Sequence, residues 1–170
     1  MKWIKDLLVN WRLKQLLKKV DLHQRGITVP TEIKTIGILA ENFDALEEAK
    51  ILIRKEWGLK VRIIAYHYSE ENSTQIEAFS HKHFTWSGLP SDRLNNFMDE
   101  QLDFILVSSA KLNPYLRYLL LTKKDSFAIG FYSSQNKPYF DLMLAYDASS
   151  DLSGNLNLLI EYLLKIKRAC

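Results

Sequence analysis

The sequence predicts an α/β protein: a three-layer domain with a mainly parallel sheet of about five strands, preceded by a basic amphipathic helix. Three observations carry this prediction. Short runs that are apolar on both faces, such as Lys34–Ala40 (KTIGILA) and Asp103–Ser108 (DFILVS), recur along the chain. Segments of helical type separate them, and strands of this kind alternating with helices belong to a parallel sheet covered on both sides. The first 26 residues stand outside this alternation. The stretch MKWIKDLLVNWRLKQLLKKVDLHQRG holds two tryptophans and seven Lys/Arg before the first glycine.

Taken in order, residues 2–24 read as a helix closed by Arg25-Gly26, a basic last turn followed by a left-handed cap. Ile27-Thr28-Val29-Pro30 must be extended, because the residue before a proline is pushed out of the helical region. This divides the chain into a helix over 1–26, a linker over 27–32 and an α/β domain over 33–170. In that domain Lys34–Ala40 is the first strand, a helix runs from about Asp44 to Trp57 and stops at Gly58, and Lys60–Tyr66 is the second strand. Residues 68–99 are less regular: an acidic turn, a short strand around His83–Trp86, and a helix from about Pro90 or Ser91. Asp103–Ser108 is the third main strand, and Asn113-Pro114 opens a helix to about Lys124. Phe127–Phe131 and Asp141–Tyr146 are further strands, and Leu152–Lys167 is a helix capped by Ser149, Ser150 or Asp151. With right-handed crossovers this order is Rossmann-like.

At 170 residues, 47% hydrophobic and 25% charged, the chain is one ordinary globular domain with enough length to bury a core. Its net charge of +3 is unevenly placed. Residues 1–25 hold seven of the 23 basic residues against only Asp6 and Asp21, so the rest of the chain is slightly acidic. Such asymmetry points to an anionic partner. The single cysteine, Cys170, permits no disulfide within the chain, which fits a reducing cytoplasm. No apolar run of about 18 residues is present to span a membrane. The expected location is cytoplasmic, peripheral to a membrane at most.

Ligands of open α/β sheets sit at the carboxyl ends of the strands. There the chain has Glu41-Asn42-Phe43-Asp44 after the first strand, with no glycine-rich turn. Neither G-x-G-x-x-G nor G-x-x-x-x-G-K-[ST] occurs, so the usual backbone cradles for phosphates are missing. His67, His81 and His83 would converge on zinc if the latter two shared one face of a strand. No carboxylate or cysteine of diagnostic spacing accompanies them, and neither a metal nor a cofactor is assigned. Ser108 and Ser109 lack the G-x-S-x-G context of a nucleophile. Ser108, Ser109, Lys111 and Asn113 together form a candidate anion site at a helix start. Phe79, Phe84 and Trp86 interleave with His81, Lys82 and His83, the composition either of a base-stacking surface or of one half of a core.

From Asp103 to Tyr146 the pattern DFILVSS, NPYLRYLLLTKK, SFAIGFYSS and YFDLMLAY resembles an uncharacterised family of small cytoplasmic α/β proteins of about this length. Its members also begin with a Lys-rich helix and a KTIGIL-like first strand, and the similarity covers nearly the whole chain. The resemblance implies no activity. More distantly, the strand–helix–AIGF order is similar to the N-terminal Rossmann-like half of heptosyltransferase-type glycosyltransferases. Those enzymes hold their sugar nucleotide largely in a second domain, so this likeness implies the fold and not the chemistry.

The opening helix is the most informative segment. On a wheel at ~100° per residue, Trp3, Ile4, Leu7, Leu8 and Trp11 fall on one side, while Val9, Leu13, Leu16, Leu17 and Val20 fall nearly opposite. One helix resting on one domain does not need two opposed stripes. Either it crosses between parts of its own core, or the second stripe packs while the first meets a partner. Lys2, Lys5, Arg12, Lys14, Lys18 and Lys19 supply the charge for such a contact. The partner classes that fit are a protein or ribonucleoprotein assembly, RNA, and an anionic membrane surface; sequence-specific DNA binding is not expected. The sequence thus predicts a non-catalytic interaction protein. The alternative is a small enzyme or ligand-binding domain for a sugar or nucleotide, using the loops Ser108–Asn113 and Ser133–Lys137.

Overall fold

The computed structural model describes residues 2–19, 28–70 and 74–170. The expected close of the first helix at Arg25-Gly26, its residue Val20 and the start of the linker at Ile27 lie outside these residues.

Six strands form one sheet: β1 (Thr35–Ala40), β2 (Arg62–Tyr68), β3 (Ala78–Phe79), β4 (Phe104–Val107), β5 (Phe127–Phe131) and β6 (Leu142–Leu144). Their order is β3-β2-β1-β4-β5-β6, and every neighbouring pair is parallel. The sheet is therefore wholly parallel and one strand larger than the sequence suggested. The added strand is β3, a two-residue edge. The short strand expected around His83–Trp86 does not form, because Ser80 starts a 3-10 turn over His81–His83 instead. Ser80 Oγ accepts from the Lys82 amide (3.2 Å), and His83 Nδ1 accepts from the Ser80 amide (3.0 Å). This local side-chain-to-backbone bonding competes with a ladder and wins.

Among the described residues five α-helices complete the layers: α1 (Lys2–Lys19), α2 (Phe43–Trp57), α3 (Asn95–Asp99), α4 (Pro114–Thr122) and α5 (Leu152–Ala169). Alternation along β1 divides the core. Ile36, Ile38 and Ala40 face α2 and α5, where they meet Leu46, Ile53, Leu156 and Leu159. Leu39 faces the other side, with Phe97 of α3, Leu116 and Leu119 of α4, and Val9 and Leu13 of α1. Gly37 lies on this second face because a Cβ there would stand 2.8 Å from a Leu102 methyl; helix-side packing closes directly over the strand.

Local chemistry sets the boundaries. Asn42 caps α2 by accepting from the Ala45 amide (2.9 Å), and Gly58 ends it at φ +68°. Asp151 caps α5 through the Gly154 amide (2.7 Å). At the opposite end of the sheet, Asp103 Oδ2 accepts from the Lys34 and Thr35 amides (2.7 and 2.8 Å), which ties the start of β1 to that of β4. The sheet changes its direction of growth between β1 and β4, so those two carboxyl ends are where an open α/β fold ordinarily offers a ligand site.

Candidate functional site

At the carboxyl ends of the strands, local structure accounts for most of the candidate residues. Ser109 Oγ accepts from the Glu41 amide (2.7 Å). Asn113 Oδ1 accepts from the Tyr115 and Leu116 amides (3.0 and 2.9 Å), making it the cap of α4 with Pro114 in the first turn. The helix N-termini that follow β1 and β4, those of α2 and α4, are thus filled by their own asparagines. Lys111 is exposed. The Ser108 hydroxyl is buried without a hydrogen-bond partner among the described residues, as are His67 Nδ1 at the end of β2 and His81 Nδ1. Among the described residues no three metal-binding side chains come together. His67 is buried at the end of β2, edge-on to Phe43, and burial pushes its pKa below the ordinary imidazole value. Phe79 and Phe84 belong to the core, where Phe84 meets Tyr115 and Tyr118, and only Trp86 of that trio is exposed.

α1 has the opposite character. It lies along α4 with Val9 and Leu13 fully buried and Leu16 and Leu17 packed at the margin. Of the two opposed stripes, the second faces the body. The first projects: Trp3, Leu7 and Trp11 are 63%, 60% and 57% exposed, with Ile4 and Leu8 half-buried beside them. Lys14 and Lys18, also exposed, continue the same line. All five fall within a sector of about 80° on the helical wheel. The outward face of α1 is thus aromatic and aliphatic over its first three turns and basic over its last two.

A polar seam holds the helix down. Lys2 pairs with Glu70, and Arg12 Nε donates to the Ser87 carbonyl. Lys5 Nζ donates to the carbonyls of His81 (3.2 Å) and Phe84 (2.6 Å) and sits 5.3 Å from the centre of the Trp86 ring. The Tyr115 hydroxyl donates to Asp6 Oδ1 (2.5 Å); burial first, then this bond and the Asp6 charge, hold the phenol far above its ordinary pKa. Three cations expected to serve a partner, Lys2, Lys5 and Arg12, therefore orient α1 on its own body. Their acceptors are mostly backbone carbonyls of the 81–87 turn, which no side-chain pattern reveals. Where α1 passes α4, Trp11, Arg12, Gln15, Leu16, Lys19 and Tyr118 line an open groove of about 370 Å³. Tyr118 carried no signal in the sequence beyond its place in an apolar helix.

Fold and surface together define a class: a small, wholly parallel α/β scaffold that carries an aromatic and basic helix on one side. The chain belongs to a family of unknown function, DUF6913, whose model matches residues 5–166. The match takes in most of α1 as well as the entire sheet. No curated protein and no solved structure matches the chain.

Proposed function

We propose that this chain is a non-catalytic, cytoplasmic docking protein that seats the outward face of α1 on an anionic lipid surface. The observation that carries the reading is the single exposed line of Trp3, Leu7, Trp11, Lys14 and Lys18. Indole rings favour the boundary between water and hydrocarbon, where one edge is wet and the rest is not. Lysines near an anionic leaflet contribute about 1 kcal/mol each. No helix among the described residues is long and apolar enough to cross a membrane, and the contact proposed is peripheral.

Co-sedimentation with phosphatidylcholine vesicles, with and without phosphatidylserine, tests the reading. Binding should require the anionic lipid and shift the tryptophan emission to the blue. It should be lost in the Trp3→Ala, Trp11→Ala double variant and become less salt-sensitive in Lys14→Gln, Lys18→Gln. Equal recovery of wild type and the tryptophan variant would refute it. So would binding to RNA in place of vesicles with a steep salt dependence.

A further inference from the structure

The groove between α1 and α4 joins the outward stripe at one residue, Trp11, which belongs to both. Two of its lining residues are cations, Arg12 and Lys19, and none is acidic. They lie two helical turns apart on one edge of α1, about 10 Å along the axis, with Gln15 between them. All three line the same groove. The Arg12 guanidinium is already oriented. Its Nε is fixed on the Ser87 carbonyl, and its stem runs against Gly88, where a Cβ would stand 3.3 Å from Arg12 Cδ. Its terminal nitrogens, which have no partner among the described residues, are a donor pair of the kind that matches phosphate oxygens. Trp11 and Tyr118 supply aromatic walls. The volume, about 370 Å³, is at the small end of ligand sites and suits a headgroup better than a dinucleotide.

We infer that this groove is a subsite for a phosphomonoester headgroup of the lipid surface on which α1 docks, with Arg12 and Lys19 as its cationic ligands. The inference rests on the docking reading and sharpens it. Two cations with no acid among the described residues of the groove lining match a group carrying nearly two negative charges at neutral pH, as a phosphomonoester does. A serine headgroup, with its own ammonium, matches less well. The shared Trp11 sets the depth, placing the phosphate at the level where an interfacial indole sits.

The test compares vesicles containing phosphatidate with vesicles containing phosphatidylserine, adjusted to equal surface potential. Wild type should bind the phosphatidate vesicles several-fold more tightly. Arg12→Lys, which keeps the charge and loses the fork, and Lys19→Gln should each abolish that preference. Lys18→Gln removes the same charge as Lys19→Gln one residue away, outside the groove, and should weaken both vesicles equally while leaving the preference intact. If Arg12→Lys melts early, Lys19→Gln against Lys18→Gln still decides. Equal binding to both vesicles, or identical effects of Lys18→Gln and Lys19→Gln, overturns the subsite and leaves the docking reading standing. Failure to bind either vesicle overturns the docking reading itself. In a third arm, soluble dihexanoyl phosphatidate should perturb the Trp11 and Gln15 amide resonances at concentrations where inorganic phosphate does not; an equal response to inorganic phosphate overturns the lipid assignment.

Discussion

α1 and α5 are both 18-residue helices with two basic residues in the last turn, and they hold to the sheet by different means. α5 buries Leu156, Leu159, Ile160 and Leu163 in one continuous stripe, and a capping aspartate starts it. α1 buries only Val9 and Leu13 and depends on hydrogen bonds from Lys5, Arg12 and Tyr115. One helix is anchored by area and the other by a few directed contacts. Its apolar content is not lower in kind: the Trp and Leu residues that would have made α1 a second α5 are turned outward. A helix built this way keeps its exposed face available and leaves the sheet intact if it lifts.

The largest effect that tests this contrast is expected from Leu159→Ala. The side chain is completely buried beneath α5, and its truncation should lower global stability by about 2–5 kcal/mol in urea unfolding. Native-state hydrogen exchange sharpens the comparison, since α5 amides should exchange with the global free energy and α1 amides through a smaller, local opening. Next is Asn155→Ala. This buried amide receives the Asp147 N–H (2.8 Å) and donates to the Asp147 and Asp151 carbonyls (both 2.9 Å), and its loss should cost about 1–3 kcal/mol by leaving those groups unpaired.

A pH dependence should follow from the turn beneath α1. Burial, then the charges of Lys2 and Lys5, lowers the pKa of His81; burial and Arg93 lower that of His83. The unfolded chain binds these protons near pH 6.5, before the folded chain does. Stability is therefore unaffected above that pH and falls as the pH drops below it. Exchange at α1 should quicken before exchange at α5, which contains no histidine. His83→Asn should flatten the slope. The smallest stability effect belongs to Trp3→Ala with Trp11→Ala: both rings are exposed, so unfolding should change by no more than about 0.5 kcal/mol while vesicle binding disappears. A large drop in melting temperature would place these rings in the core and remove the contrast with α5.

Much of this was legible in the sequence, for physical reasons that differ by element. The strands KTIGILA and FAIGF and the caps Gly58 and Asp151 are stated by residues within a few positions of one another. The two opposed stripes of α1 were visible as a periodicity, which left open whether both meet the protein's own core or one faces outward. The seam was not visible, because the acceptors of Lys5 and Arg12 are carbonyls 75 or more positions away. β3 was misplaced because the alternation Phe84–Trp86 resembles a strand, whereas the capping turn Ser80–His83 had already redirected the chain. Asn113 looked like a ligand residue because the side chains that bind an anion at a helix start are the same ones that cap it, and Ser109 because its tie to the distant Glu41 amide has no local sequence signal.

The stubs that border the sheet, two-residue β3 and three-residue β6, have a consequence of their own. A long bare border would expose a row of backbone donors and acceptors and invite another chain to add on. Here each margin ends within a few residues and runs into a turn, His81–His83 after β3 and the Asp147–Asp151 loop after β6, so there is too little ladder to template a seventh strand. Copies of this protein crowded together are thus protected from zipping sheet to sheet.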